Sequence, residues 1–210
     1  MQTAMDNSYF FSQHVVVNRH TRYLLPHWQQ GQVWCFVTWH LADSIPADVL
    51  LRWQDEKETW RRLHPEPWDE ETAKEYRRRI SSRMEEWLDQ GSGSCLLRDK
   101  DNAQIVARAL RHFDGERHVL AAFVVMPNHV HALFRPCGGH LISDIMKSWK
   151  WFTAREINKR MNASGSLWQA EFRDRLIRNE AHFHSCLRYI RQNPAKANLR
   201  DGFVAWSADL

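Results

Sequence analysis

The chain has 210 residues and a mass of 25.0 kDa, and it is 43% hydrophobic and 26% charged: ordinary for one large globular domain, too apolar for a disordered chain. The longest wholly apolar run, Val119 to Met126, falls far short of the ~18 residues that cross a bilayer, and Met-Gln-Thr-Ala-Met-Asp shows no basic-then-apolar secretory leader. A net charge of +4 hides an asymmetry, because Leu51 to Gln90 carries 9 Lys/Arg against 11 Asp/Glu while Arg135 to Arg200 carries 13 against 5. The second half therefore suits a polyanionic partner.

Residues 1–31 are polar and aperiodic and read as an irregular N-terminal segment. Val33 to Trp39, rich in β-branched and aromatic residues, predicts a strand that Ser44, Ile45 and Pro46 end. Val49, Leu50, Trp53, Trp60 and Leu63 mark one helix, broken by Pro65 and Pro67. Ala73, Tyr76, Ile80, Met84, Trp87 and Leu88 mark a second, closed by Gly91-Ser92-Gly93-Ser94. This acidic amphipathic pair reads as an insertion at about 47–92. Asp101 is placed to cap a helix bearing Ile105, Val106, Ala109, Leu110 and Phe113, with Gly115 to stop it. His118 to Val125 predicts a buried strand, Met126-Pro127-Asn128 a turn, and His129 to Phe134 its partner. Ile142, Ile145, Met146, Trp149 and Phe152 predict another helix, and Leu167 to Ile177 an extended stretch. A last helix is expected from Glu180 to Asn193, since the residue before Pro194 is biased out of the α region. Without the insertion the order is strand, helix, strand, strand, helix, strand, helix. That order predicts an α+β domain over 32–210, with a ferredoxin-like antiparallel sheet and helices on one face.

Four cysteines, Cys35, Cys95, Cys137 and Cys186, have no close pair and fit neither a zinc knuckle nor a disulfide framework. The histidines are more informative. His129-Val130-His131 lies on a predicted strand, where side chains two apart share a face, so both imidazoles could meet one metal ion. His182-Phe183-His184 has the same spacing but falls on a predicted helix, where residues two apart diverge by about 200° and cannot chelate together. On the same helix Tyr189 and Asn193 are four apart and share a face. A tyrosine can act as a nucleophile, and an asparagine can offer its amide oxygen to a hard cation.

Val124-Val125-Met126-Pro127-Asn128-His129-Val130-His131 resembles the histidine-hydrophobe-histidine motif of single-tyrosine HUH transposases, in particular the tyrosine transposases associated with repetitive extragenic palindromes in bacteria. Trp34 to Pro46, Leu141 to Asn158, Leu167 to Arg178 and Arg188 to Leu199 extend the resemblance over most of the chain outside residues 1–30 and the insertion. The resemblance implies that His129 and His131 bind Mg²⁺ or Mn²⁺, with Asn193 as third ligand where more distant members have glutamine. It makes Tyr189 the nucleophile of a DNA endonuclease and strand transferase that cleaves and rejoins single-stranded or hairpin DNA through a 5′-phosphotyrosine. It also implies work in the bacterial cytoplasm, on the nucleoid. Monomer and homodimer both stay open, as do the repeat recognised and the role of the insertion.

Lys147, Lys150, Arg173, Arg175 and Arg178 are candidate phosphate contacts. Trp151 is the better candidate base-stacking residue, Trp149 the better core residue, and Trp168 a further aromatic candidate. Two other readings stand beside this one. One is a non-catalytic, domesticated binder of palindromic repeats; the other is a zinc hydrolase, which lacks a third histidine or carboxylate at helical spacing.

Overall fold

A computed structural model of the chain describes residues 6–20, 27–65 and 68–208; Pro67, expected to help break the chain between two helices, lies outside them, as does much of the N-terminal segment. That segment is not wholly irregular. β1 (Asn18–His20) pairs antiparallel with β2 (His27–Gln29). Strands of three residues are too short for alternation to betray them in the sequence.

The main elements follow as β3 (Cys35–His40), α1 (Ala47–Leu63), α2 (Glu70–Tyr76), α3 (Ser82–Asp89), α4 (Lys100–Arg111), β4 (His118–Val125), β5 (His129–Pro136), α5 (Ile142–Met161), β6 (Arg173–Leu176), α6 (Glu180–Lys196) and β7 (Val204–Ser207). Five strands form one antiparallel sheet in the order β6-β3-β5-β4-β7. The first four strands of that order are the split β-α-β arrangement expected of a ferredoxin-like plan. β7, which carries no strand pattern of its own, adds a fifth strand along the β4 edge.

Helices do not keep to one face, and the expectation is corrected there. α4 and α5 bury Val106, Leu110, Ile145 and Trp149 against Val37, Trp39, Val125 and Phe134. α6 buries Phe183, Cys186, Leu187 and Ile190 on the opposite face, against Phe36, Val124 and Leu133. Central strands covered on both sides are apolar throughout, which is why β4 reads as one continuous run and not as an alternation.

α1 to α3 occupy the crossover between β3 and α4, as the insertion reading expects. Their own small core joins Trp53, Ile80, Met84 and Leu88 to Ile45. A π-helical stretch, Arg77–Ser81, links α2 to α3, and Trp53 Nε1 donates 2.9 Å to the carbonyl of Ile80 within it. The wider π turn re-phases the helix that follows. The return to the sheet is tight: Gly93 adopts φ +85°, and a Cβ there would lie 2.5 Å from the Asp43 carbonyl oxygen.

Two helix ends differ from expectation. α4 is capped by Asp99, whose carboxylate accepts from the amides of Asp101 and Asn102, two residues before the expected cap, and it ends at Arg111, ahead of Gly115. α6 continues through Pro194 to Lys196. Proline lacks only its own donor, and the chain is held beyond it by Ala197 N–H to Asn193 O and Leu199 N–H to Pro194 O. Asn193 thereby stays helical and on the face of Tyr189.

Candidate functional site

Cross-strand register decides which side chains meet. Phe36 stands opposite Arg175 and Leu133, Thr38 opposite Arg173 and His131, and His40 opposite His129. Residues opposite one another share a face. Since Phe36 and Leu133 pack against α6, so do His129 and His131. The two imidazoles are 1% exposed, with ring centroids 4.8 Å apart.

Each ring is held by its Nδ1. His129 Nδ1–H donates 2.8 Å to Asn128 Oδ1, and Asn128 is itself fixed by donating from Nδ2 to the Ser92 carbonyl at 3.1 Å. His131 Nδ1 shares a hydrogen bond of 2.8 Å with Thr38 Oγ1. This arrangement leaves both Nε2 atoms for another partner, as in metal-binding histidines. Neither Nε2 has a hydrogen bond. Burial lowers both basicities, His131 well below the usual imidazole range and His129 to about 3, so both rings are neutral at pH 7.

α6 brings its two expected residues to the same place. The Tyr189 ring lies edge-on to His131, centroids 5.2 Å apart, and 5.8 Å from Phe36. Asn193 is fully buried, and neither its Oδ1 nor its Nδ2 has a partner. The histidine pair and Tyr189 thus meet within one chain, with Asn193 one turn further along the helix of Tyr189. The second His-x-His copy does not chelate: His184 points to Glu180 at 3.6 Å, and His182 lies in the cleft described below.

The insertion reaches this site, which the sequence did not reveal. Asp89, at the end of α3, places Oδ1 3.8 Å from His129 Nε2, and that oxygen is buried with no hydrogen bond. Burial, reinforced by the charge of Glu85, raises its pKa to about 6. Glu85, one turn earlier, accepts a hydrogen bond from Tyr189; burial of the phenol, with the negative charges of Glu85 and Asp89, holds its hydroxyl well above the usual tyrosine range. Lys196 extends its ammonium over the Tyr189 ring, 4.8 Å from the centroid. Only the four-residue spacing of Glu85 and Asp89 on α3 could have hinted at this pair.

Tyr189 opens into a cleft of about 570 Å³ between the insertion and the β6 edge. Arg173, Arg175 and Arg178 lie on its β6 side, and Lys57, Arg61, Trp53, Trp68 and Tyr76 on the insertion side. Burial lowers Lys57 to about 8. β2 pins the β6 edge, His27 Nδ1 lying 2.6 Å from Asp174 Oδ1 and its ring stacking on Phe172 at 3.8 Å.

The other expected DNA contacts lie elsewhere. Lys147, Lys150 and Trp151 belong to α5, across the sheet from Tyr189 and apart from Arg173, Arg175 and Arg178. Lys150 donates 2.7 Å and 2.6 Å to the carbonyls of Gln169 and Ala170, and burial lowers it to about 8. Trp151 is exposed and stacks with Arg155. Trp149 is core, as expected, and so is Trp168. A groove of about 770 Å³ between α4 and α5 also lies on that side and holds none of the converging residues.

With this geometry in hand the comparisons with known proteins are specific. Residues 96–193, which contain both histidines, Tyr189 and Asn193, match the profile of the family described as "Transposase IS200 like". Over these residues, a little under half of the chain, it is similar to the IS200-like transposase family. Members are tyrosine nucleases, typically metal-dependent. A solved structure of a REP-associated tyrosine transposase bound to a REP hairpin is 15% identical, with a TM-score of 0.42, covering 82% of this chain and 74% of that one. A structure from Deinococcus radiodurans assigned as a transposase is 16% identical, with a TM-score of 0.32, covering 84% of this chain and 97% of that one. No curated protein sequence matches. Among the described residues no helix is long and apolar enough to cross a membrane.

Proposed function

We propose that this chain is an IS200-like transposase that cleaves and rejoins single-stranded or hairpin DNA, with Tyr189 as nucleophile. The observation that carries the reading is the meeting, inside one chain, of a phenol and two neutral imidazoles with unpartnered Nε2 atoms, with an unpartnered buried amide one helical turn from the phenol. As their side chains stand, no three histidine, cysteine or carboxylate groups among the described residues are close enough to hold a metal ion, so the set proposed first rests on Asn193 beside the two histidines. Its donors, two imidazole nitrogens and an amide oxygen, fit a divalent cation such as Mn²⁺ or Mg²⁺. Buried polar atoms left without partners cost about 1–3 kcal/mol each, and a cation shared by His129, His131 and Asn193 would satisfy them together.

Bound there, such a cation supplies charge neutralisation to the non-bridging phosphate oxygens. The chain's own groups do the rest. The Tyr189 oxygen attacks phosphorus, the bond from phosphorus to the 3′ oxygen breaks, and a 5′-phosphotyrosine and a 3′-hydroxyl result. The phenol proton passes to Glu85, already its hydrogen-bond acceptor, and the departing 3′ oxygen takes a proton from solvent. Because the phosphodiester is exchanged for a phosphotyrosine ester, religation needs no ATP. Arg173, Arg175 and Arg178 contact phosphates along the cleft, and Lys57 and Arg61 close over the strand from the insertion.

The test is a denaturing gel for a covalent protein–DNA adduct, run on a panel of hairpin and single-stranded oligonucleotides with Mn²⁺ or Mg²⁺. Wild type forms the adduct. Tyr189→Phe abolishes it while binding stays within about twofold. An adduct that persists in Tyr189→Phe excludes this nucleophile. Salt-sensitive binding without any adduct replaces the reading with that of a non-catalytic repeat binder.

A further inference from the structure

Resting on the cation site proposed above, we infer that Asp89, on the helix inserted between β3 and α4, is a further ligand of the same cation, so that the insertion completes the metal centre.

Three observations converge on it. First, distance: two donors each about 2.1 Å from one cation stand about 3.0–4.2 Å apart, depending on the angle between them. Asp89 Oδ1 and His129 Nε2 are 3.8 Å apart. Second, both of these atoms are buried without a hydrogen bond, and so are His131 Nε2 and Asn193 Oδ1. A carboxylate oxygen in a protein interior ordinarily finds a donor; this one faces an imidazole nitrogen whose proton sits on the far side of the ring, held there by Asn128. Two acceptors aimed at each other repel unless something positive lies between them. Third, position: Asp89 is the last residue of α3, followed by Gln90 and Gly91, and although it does not complete a three-ligand cluster as it stands, a rotation of its side chain would close the carboxylate onto the imidazoles with no movement of the sheet.

Charge sharpens the argument. Two imidazoles and an amide are neutral ligands and leave the full divalent charge uncompensated; one carboxylate halves it and raises affinity. Glu85 is the internal control. It comes from the same helix, carries the same charge and sits one turn away, but it faces Tyr189 and not the imidazoles. Ligation and mere electrostatic attraction therefore predict different results for the two carboxylates.

Mn²⁺ binding to the full-length protein without DNA, by calorimetry and by the loss of the free-ion paramagnetic resonance signal, tests this. Asp89→Ala should weaken Mn²⁺ by about tenfold or more. Asp89→Asn, which keeps the shape and one neutral oxygen, should show a smaller loss and serves where the alanine variant does not fold. Glu85→Ala should stay within about twofold. Equal losses in Glu85→Ala and Asp89→Ala would reduce Asp89 to a background charge and overturn the inference. Wild-type affinity in both Asp89 variants, with binding lost in His131→Ala, would overturn it while leaving the histidine site standing. A wild-type protein that takes up no Mn²⁺ would remove the cation site and the role of Asp89 together.

Discussion

The two faces of the central sheet are built from the same strands and to opposite ends. Along β3, Cys35, Val37 and Trp39 point to α4 and α5, and Phe36, Thr38 and His40 to α6. On the first face Trp149 sits among Phe134, His118 and Trp39 at centroid distances of 4.9, 5.0 and 6.1 Å. Its buried polar groups are largely paired: Trp168 Nε1 donates to Thr153 Oγ1, which donates to the Trp149 carbonyl. The unpartnered atoms there, Trp39 Nε1 and His118 Nδ1, belong to separate residues. On the second face Trp34 Nε1 is also unpartnered, but the orphans of His129, His131 and Asp89 neighbour one another, and that of Asn193 lies one helical turn beyond Tyr189. Scattered orphans are packing residue; gathered ones are a site, and the fold carries their cost on the strength of the other face.

The largest effect should come from the packing face. Trp149→Ala should lower stability by about 3–5 kcal/mol in denaturant unfolding, because the cavity lies in a layer with no room to collapse. It should leave Mn²⁺ affinity in the surviving folded fraction unchanged. A loss of metal affinity at constant fold would show that the two faces are coupled through the sheet.

Much of this division was legible beforehand, and the exceptions have physical causes. The strand placement of His129 and His131, the helix placement of Tyr189 and Asn193 and the core role of Trp149 all follow from local periodicity, because each property depends on spacings of two to four residues. Asp89 and Glu85 were not legible: they reach Tyr189 across 100 residues of sequence, through a helix re-phased by a π stretch that no heptad-like pattern announces. That Lys150 lies apart from the three arginines was not legible, for the complementary reason. Charge counted along the chain cannot tell which side of a sheet a helix will cover, and α5 and β6, adjacent in sequence, end on different layers.

Acidification should separate the faces next. His129 is held neutral when folded, with its basicity lowered to about 3, whereas the unfolded imidazole titrates near 6.5. The unfolded state therefore binds more protons throughout that window, and stability is fully present above pH 6.5 and lost as pH falls toward 3. Between pH 7 and 5 this one ring should account for about 2 kcal/mol. Asp89, raised to about 6, acts in the opposite sense, and its partial exposure makes that contribution the smaller. His129→Gln should flatten the acid limb of a stability–pH curve by about one proton; an unchanged slope would mean that the ring is already protonated when folded.

A smaller effect, of the reverse sign, is expected at Asn193. Replacing an unpaired buried amide with leucine of similar volume should stabilise the metal-free protein by about 1–2 kcal/mol while weakening Mn²⁺. Thermal melts with and without Mn²⁺ would show it as a raised melting temperature that no longer responds to metal. Destabilisation by Asn193→Leu would reveal a protein partner for the amide and remove it from the ligand set.

Lys150 and Arg175 give the smallest effects and the cleanest contrast. Both come from the basic half, but Lys150 spends its ammonium on two backbone carbonyls beside α5, while Arg175 lines the cleft that Tyr189 enters. Lys150→Met should cost about 1 kcal/mol of stability and leave DNA affinity and its salt dependence alone. Arg175→Ala should scarcely change stability and should make the slope of log K against log salt shallower by about 0.7 for single-stranded DNA, one phosphate's worth of counterion release. If the two variants exchanged behaviours, the strand would run across α5 and not beneath the insertion. Tyr189 would then face away from its substrate, and no arrangement of ligands on the α6 face could make it the nucleophile.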